Sequence, residues 1–283
     1  MMFERVVVGV RGEEAGRDAI ALGKELVSAD GELTLLHVYA VASKPAQDSG
    51  SFGDAAKRRY ALERLNALAD EFSVEAQVLF VEAPSVRRGL HEFALRQQAD
   101  LLIVRASHRD EVARDLIGDD TRVLLEDAPC AVAVAPVGYS TSASAIRKIG
   151  VAYDGSAESE RALSLARKLA AERHAELSAF EAVKASVVRD PWNIAAEFAE
   201  PVREARQRIT ALGGVEARAE FGDAVEELTR YGRSVDLLVI GSYSYRPIDR
   251  LLESSTSQQL ADEASSPLLV LASPHERERD RDS

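Results

Sequence analysis

A carboxylate, a glycine and a row of hydroxyls are the residues whose chemistry matters most in this chain. Asp154 sits in Ala152-Tyr-Asp-Gly-Ser156, directly after the apolar run Ile149–Ala152, so its carboxylate is delivered at the rim of what reads as a strand. A second apolar run, Leu237–Ile240, leads into Gly241-Ser-Tyr-Ser-Tyr-Arg-Pro-Ile-Asp-Arg-Leu-Leu-Glu-Ser-Ser-Thr-Ser257. Gly241 lets the backbone turn sharply off the strand. Ser254, Ser255 and Thr256 bring hydroxyls and free amides to an expected helix start, where orphan N–H groups and the helix dipole favour an anion such as phosphate. Ser and Thr at such a place also serve as ordinary N-caps. The chemistry on offer is therefore binding rather than turnover. There is no Gly-x-Ser-x-Gly elbow, no Gly-x4-Gly-Lys-(Ser/Thr) loop and no Cys-x2-Cys, and His37, His91, His108, His174 and His275 show no ligand spacing. Cys130 is the one cysteine, set in the apolar run Ala128–Ala135, and reads as a small buried hydrophobe.

The elements that must position these groups occur twice. Phe3-Glu-Arg-Val-Val-Val-Gly-Val-Arg-Gly12 matches Ile146-Arg-Lys-Ile-Gly-Val-Ala-Tyr-Asp-Gly155, Glu32–Tyr39 matches Glu176–Val183, Ala99–Val104 matches Val235–Ile240, and Ala131–Ala135 matches Pro267–Ala272. Apolar runs alternate with helical stretches in each copy, the pattern of a parallel sheet covered on both faces. The expected fold class is α/β: two tandem, doubly wound, five-stranded parallel-sheet domains. In the first copy the spacing predicts strands at 5–10, 32–39, 75–81, 100–104 and 130–135, and helices at 14–28, 54–72, 85–98 and 117–126. The order repeats from 147. Domain 1 is expected over 1–137, a linker over 138–145, domain 2 over 146–273 and a disordered charged tail over 274–283. Trp192, in Asp190-Pro-Trp-Asn193, reads as local packing or a ligand lid.

Composition bounds the partners. The 283 residues are 46% apolar and 29% charged, with 35 Lys+Arg against 47 Asp+Glu, a net charge of −12. Neither half is basic: residues 1–142 carry 23 acidic and 16 basic groups, residues 143–283 carry 24 and 19. Such a field repels polyphosphate backbones and anionic bilayers, so nucleic acid and membrane surfaces are not expected as partners. No apolar run approaches a membrane span, and Met1–Ala15 carries Glu4, Arg5 and Arg11 where a signal peptide is apolar, so a cytoplasmic location is expected.

Asp154-Gly-Ser, the Gly222-Asp-Ala helix start, Asp236-Leu-Leu-Val-Ile-Gly-Ser242 and Ser255-Thr-Ser-Gln-Gln-Leu260 leading to Pro267-Leu-Leu-Val270 resemble the universal stress protein (UspA) superfamily in its tandem form, over about 3–136 and 146–273. The resemblance implies an adenine nucleotide alpha hydrolase-like fold, two domains joined as an internal pseudo-dimer, and an ATP loop of the form Gly-x2-Gly-x9-Gly-(Ser/Thr). It carries over as Gly241, Ser244, Ser254 and Ser255, with Thr256 beside them. Spacing is kept while two of three glycines have become serine, which implies a weakened site. Asp154 matches an aspartate beside ribose and metal, and would hold magnesium with the nucleotide. Ala152 lies on the same rim, and Ala182 falls where backbone reads adenine.

The first copy departs further. Arg11 stands in place of the aspartate, Arg105 and His108 replace two glycines, and Asp119 follows Gly118 where the hydroxyl belongs. Ion pairs from Arg11 and Arg105 to Asp119 and Asp120 are expected there. The leading expectation is a stress-associated regulatory protein binding ATP or a related adenine nucleotide in domain 2, with slow or no hydrolysis. The alternative is a scaffold acting through protein contacts, and a third reading is an enzyme using Arg11 and Arg105 on a small anion. The last strands, Cys130–Ala135 and Leu268–Ala272, are expected to pair in the pseudo-dimer, and homodimerisation beyond that is compatible with this reading.

Overall fold

The computed structural model describes residues 3–41, 51–106, 125, 128–184, 194–241, 256–262 and 265–271, with backbone alone at 51–54, 194–198, 258 and 262. The chain divides into two compact units between Ser144 and Ala145.

Domain 1 runs β1 (Phe3–Gly9), α1 (Glu13–Leu26), β2 (Val27–Ala40), α2 (Ser51–Phe72), β3 (Ala76–Ala83), α3 (Val86–Arg96), β4 (Leu101–Arg105), β5 (Ala131–Ala135) and α4 (Tyr139–Ser142). Its strands are parallel in the order β3-β2-β1-β4-β5, with Val6 opposite both Leu33 and Leu101, and Leu101 opposite Ala131. Val6, Val7, Val8, Leu101, Leu102 and Ile103 are all buried, as expected of central strands covered on both faces. The helix expected over 117–126 lies outside the described residues except for Leu125, as do the tail and residues 42–50 of Ala40–Gly53, whose Ser, Gly, Pro and Lys read as a long loop between β2 and α2.

Domain 2 repeats the plan: β6 (Lys148–Ala152), α5 (Ala157–Arg173), β7 (Glu176–Val183), α6 (Ile194–Ala211), β8 (Glu216–Phe221), α7 (Ala224–Gly232), β9 (Leu237–Gly241), α8 (Thr256–Asp262) and β10 (Leu268–Leu271). The order is β8-β7-β6-β9-β10, again parallel. The doubly wound architecture expected from the sequence is what the chain adopts. Strand order reverses between β1 and β4 and between β6 and β9, which makes the carboxyl ends of those strands the ligand-competent rim of each domain.

One aspartate per domain locks the centre of the sheet. Asp100 accepts the Glu4 and Arg5 amides at 2.8 and 3.1 Å, and Asp236 accepts the Arg147 and Lys148 amides, both at 2.8 Å. This is the physical content of the repeated Asp-Leu-Leu motif: the carboxylate satisfies the leading amides of the neighbouring strand. Three helix starts, those of α3, α5 and α7, are capped by side chains, Ser85 accepting from Arg88 N, Ser156 from Ser159 N, and Asp223 from Val225 N and Glu226 N.

Two expectations shift. The first helix stops at Leu26 and β2 begins at Val27, because the β1–β2 register jumps between Phe3, opposite Val27, and Arg5, opposite Glu32. The irregularity absorbs residues that composition alone assigns to a turn. The segment after β5 is also more than a spacer. Tyr139 is buried within α4, and the Gly138 and Ser140 amides bond to the buried carboxylate of Asp18 on α1.

Candidate functional site

The rim of domain 2 is built where β6 and β9 end side by side. Ala152 closes β6 and is buried, and the buried Tyr153 donates its amide to Phe180 O at 2.9 Å, so the chain leaves the sheet at Asp154. Asp154 is exposed. Its Oδ1 accepts the Ser156 amide at 3.0 Å, and Gly155 takes φ +79°, a left-handed conformation that favours glycine, so the chain can turn into α5. Gly241 lies against the first turn of that helix: a Cβ there would fall 2.5 Å from Glu158 O and 2.6 Å from Glu158 C. A glycine is required by this approach, which presses the end of β9 onto the helix that follows Asp154. Asp154 and Gly241, about ninety residues apart in sequence, are thus brought to the two ends of one packed corner. Ala182 lies near the end of β7, half-buried, and Thr256 opens α8. Ser244, Ser254 and Ser255 lie outside the described residues, as do Tyr243, Tyr245, Arg246 and Trp192.

The electrostatics of this corner are acidic. The Tyr153 hydroxyl donates to Glu160 Oε1. Burial, that hydrogen bond, and the nearby carboxylates of Glu160, Glu181 and Asp154 push the Tyr153 phenol up to about 12, so it is a neutral donor near pH 7 and not a base. Glu181 on β7 receives Arg208 at 2.6 Å through Oε1, while its Oε2 is buried without a hydrogen bond. Sequence reading missed Glu158, Glu160 and Glu181. The helical periodicity of Glu158 and Glu160 marks them only as solvated positions, and the tertiary approach of Gly241 gives Glu158 its role.

A magnesium ion fits this corner only in company. Among the described residues no group of three His, Cys, Asp or Glu side chains is placed to hold a metal. Magnesium keeps waters and is commonly held by one or two carboxylates together with substrate phosphates, so Asp154 can supply a protein ligand while a nucleotide supplies others.

Domain 1 answers differently at the same place. Arg105 ends β4 where Gly241 ends β9, and its Nε lies 3.3 Å from Oδ2 of Asp18, without hydrogen-bond geometry. Asp18 is 2% exposed. Its Oδ2 accepts the Gly138 amide at 2.9 Å, and Oδ1 accepts the Ser140 amide at 2.9 Å and the Ser140 hydroxyl at 2.8 Å. The expected partners Asp119 and Asp120 lie outside the described residues, with His108 and Gly118, and the partner of Arg105 here is Asp18, reached across a fold that sequence spacing does not display. Arg11 is exposed. His37, the counterpart of Glu181, donates from Nδ1 to Val10 O at 2.9 Å and stacks on Phe80 at 5.6 Å between ring centroids.

The class is now defined: tandem, doubly wound, parallel α/β domains with diverged rims. The model of the universal stress protein family matches residues 2–136 and again 145–272, and the chain belongs to that family. Among solved structures, a universal stress protein from Archaeoglobus fulgidus DSM 4304 is similar at 17% identity and TM-score 0.68, over 95% of this chain and 96% of that one. A Pseudomonas aeruginosa UCBPP-PA14 protein described as a universal stress protein aligns at 18% identity and TM-score 0.62, over 95% of this chain and 93% of that one. The cytoplasmic domain of a prokaryotic cation chloride cotransporter aligns at 14% identity and TM-score 0.51, over 95% of each. At these identities the likeness is one of fold. No curated protein matches the sequence. Among the described residues no helix is long and apolar enough to cross a membrane.

Proposed function

We propose that this universal stress protein binds an adenine nucleotide, with ATP as the leading candidate, at the rim of domain 2, and acts as a stress-associated regulatory protein rather than as a catalyst. The observation that carries the reading is the close approach of Gly241 to Glu158, which retains a glycine where the family's loop begins and sets it beside the Asp154 turn. Ala152, Asp154 and Ala182 would line the ribose and adenine side, and Gly241, Ser244, Ser254, Ser255 and Thr256 the phosphate side. The acidic surroundings give the reading a further term. Phosphates approaching Asp154, Glu158 and Glu160 meet like charge, so the nucleotide would enter with magnesium, whose charge offsets both sets of anions. Calorimetric titration with ATP should show binding with magnesium and little without it. Asp154→Ala should weaken that binding at least roughly tenfold, a difference of about 1.4 kcal/mol, while Arg11→Ala leaves it unchanged. Equal loss from both variants contradicts the assignment.

The second reading, a paired scaffold working through protein contacts, is favoured by domain 1. There Arg105, paired with Asp18, stands at the end of β4 where Gly241 ends β9 in domain 2. ATP titrations that give no heat with the parent chain or any variant decide for it. The tandem family match supports an internal pseudo-dimer, and its joining through the last strand of each domain is part of the proposal. Cysteines introduced singly on the two strands should cross-link within one chain, and failure to do so at every pair tried rejects that joining.

A further inference from the structure

We propose that the outer edge of β3 is a homodimer surface, on which a second copy of this chain adds its own β3 antiparallel about a two-fold axis. Among the described residues β3 is the outermost strand of domain 1, paired along one side only, with β2. Its sequence, Ala76-Gln-Val-Leu-Phe-Val-Glu-Ala83, has a single charge, and Val78, Leu79, Phe80 and Val81 are all half-buried. An edge that is long, apolar and uncharged pairs with another chain unless something blunts it.

The outermost strand of domain 2 shows what blunting looks like in this molecule. β8 reads Glu216-Ala-Arg-Ala-Glu-Phe221, with Arg218 paired to Glu216 at 3.0 Å. Arg206 reaches from α6 to donate to the Ala219 carbonyl at 2.9 Å and to Glu220 at 3.1 Å, so an edge acceptor is satisfied by a side chain. β3 has the same place in the repeated fold and an uncharged stretch from Ala76 to Val81 in place of those alternating charges.

The occupant is a second copy because the strand is complementary to itself. Antiparallel pairing centred on Leu79 sets Phe80 against Val78, Gln77 against Val81, Glu82 against Ala76 and Glu75 against Ala83. No carboxylate meets a carboxylate, and aromatic and β-branched side chains face each other, a favourable cross-strand pair. Pro84, with no amide proton, ends the ladder one residue beyond β3. Each chain carries −12, so salt should screen the repulsion between copies and strengthen the dimer, opposite to its effect on a salt-bridged interface.

Sedimentation equilibrium of the full chain at rising concentration should therefore show a monomer–dimer equilibrium that shifts toward dimer with added salt. In a Cys130→Ser background, Leu79→Cys meets its own symmetry mate at about 4.5–5.5 Å between Cα atoms, within disulfide reach. Val81→Cys is offset from its mate by four residues, roughly 13 Å, and should not cross-link. Gln77 is exposed, so Gln77→Lys should leave the fold intact and weaken the dimer roughly tenfold. A chain that stays monomeric at every concentration and salt, a Leu79→Cys variant that cross-links no faster than Val81→Cys, or a dimer indifferent to Gln77→Lys each overturns the proposal. So does a monomer in which the β3 amides that point away from β2 are protected from hydrogen exchange, which would mean that the chain's own residues cover the edge.

Discussion

At the end of β4, Arg105 leans on a buried carboxylate that also holds the backbone after β5. At the end of β9, the corresponding Gly241 has no side chain and lies against the backbone of Glu158. Both domains keep the aspartate that pins the centre of the sheet, Asp100 in one and Asp236 in the other. The copies thus diverge at the rim, as they do at their outer edge strands, while the interior plan is held. A duplicated fold keeps its packing constraints in both copies, and one copy's rim is free to become structural once the other can serve a ligand.

The sharpest way to break this comparison is Asp18→Ala. It removes three hydrogen bonds and leaves Arg105, whose side chain is 22% exposed, without its partner. Removing one partner of a buried pair costs about 3–5 kcal/mol, so denaturant unfolding of domain 1 should show a loss near the lower figure, given the partial exposure of Arg105. A loss below about 0.5 kcal/mol, the range of ordinary surface changes, would mean that the pair is incidental. Gly241→Ala comes next. Its Cβ meets backbone rather than a side chain that can swing away, so it should cost about 1–3 kcal/mol in domain 2 and lower nucleotide affinity at the same time. Stability lost with affinity intact would separate Gly241 from the proposed site.

Restoring glycine at both Ser244 and Ser254 tests the opposite direction. If the serines only narrow a working loop, ATP should bind about tenfold tighter, roughly 1.4 kcal/mol. Unchanged affinity in a chain that does bind ATP would mean that the serines are not what limits the site.

The smallest effect expected is on alkaline stability. The Tyr153 phenol, held up to about 12 by burial and its carboxylate neighbours, is neutral in the folded chain where an unfolded tyrosine near 10 has begun to ionise. Its contribution is complete below pH 10 and disappears as pH rises through 12. Tyr231, raised to about 12 chiefly by burial, behaves alike, so Tyr153→Phe should make the fall between pH 10 and 12 shallower without removing it. The same slope in parent and variant would show that Tyr153 ionises as freely as an exposed tyrosine.

Strand and helix order was legible because period and repeat agree: Val6–Val8 and Leu101–Ile103 have the continuous apolar character of buried parallel strands, and the second copy restates them. The rim was legible in part. Asp154 and Gly241 stand out by position after apolar runs, whereas Asp18 looks like any polar residue on an amphipathic helix, and only the fold brings Arg105 to it. The start of β2 was hidden for a related reason, since a register jump depends on the partner strand and leaves no periodic trace. The packed stretch after β5 looked like a spacer because its polar groups are satisfied by one distant carboxylate.

The aspartate pins also set a timetable for synthesis. The amides of Glu4 and Arg5 are made well before their acceptor, Asp100, which is almost a hundred residues later in the chain. Until that residue leaves the ribosome, β1 can pair with β2 but not with β4, and the centre of the sheet stays open. Domain 2 faces the same wait, from Arg147 to Asp236. Each half therefore closes late and over long sequence separations, a topology that slows folding and lengthens exposure of apolar strands. Emergence of the first half ahead of the second limits how much unpaired strand the nascent chain shows at once.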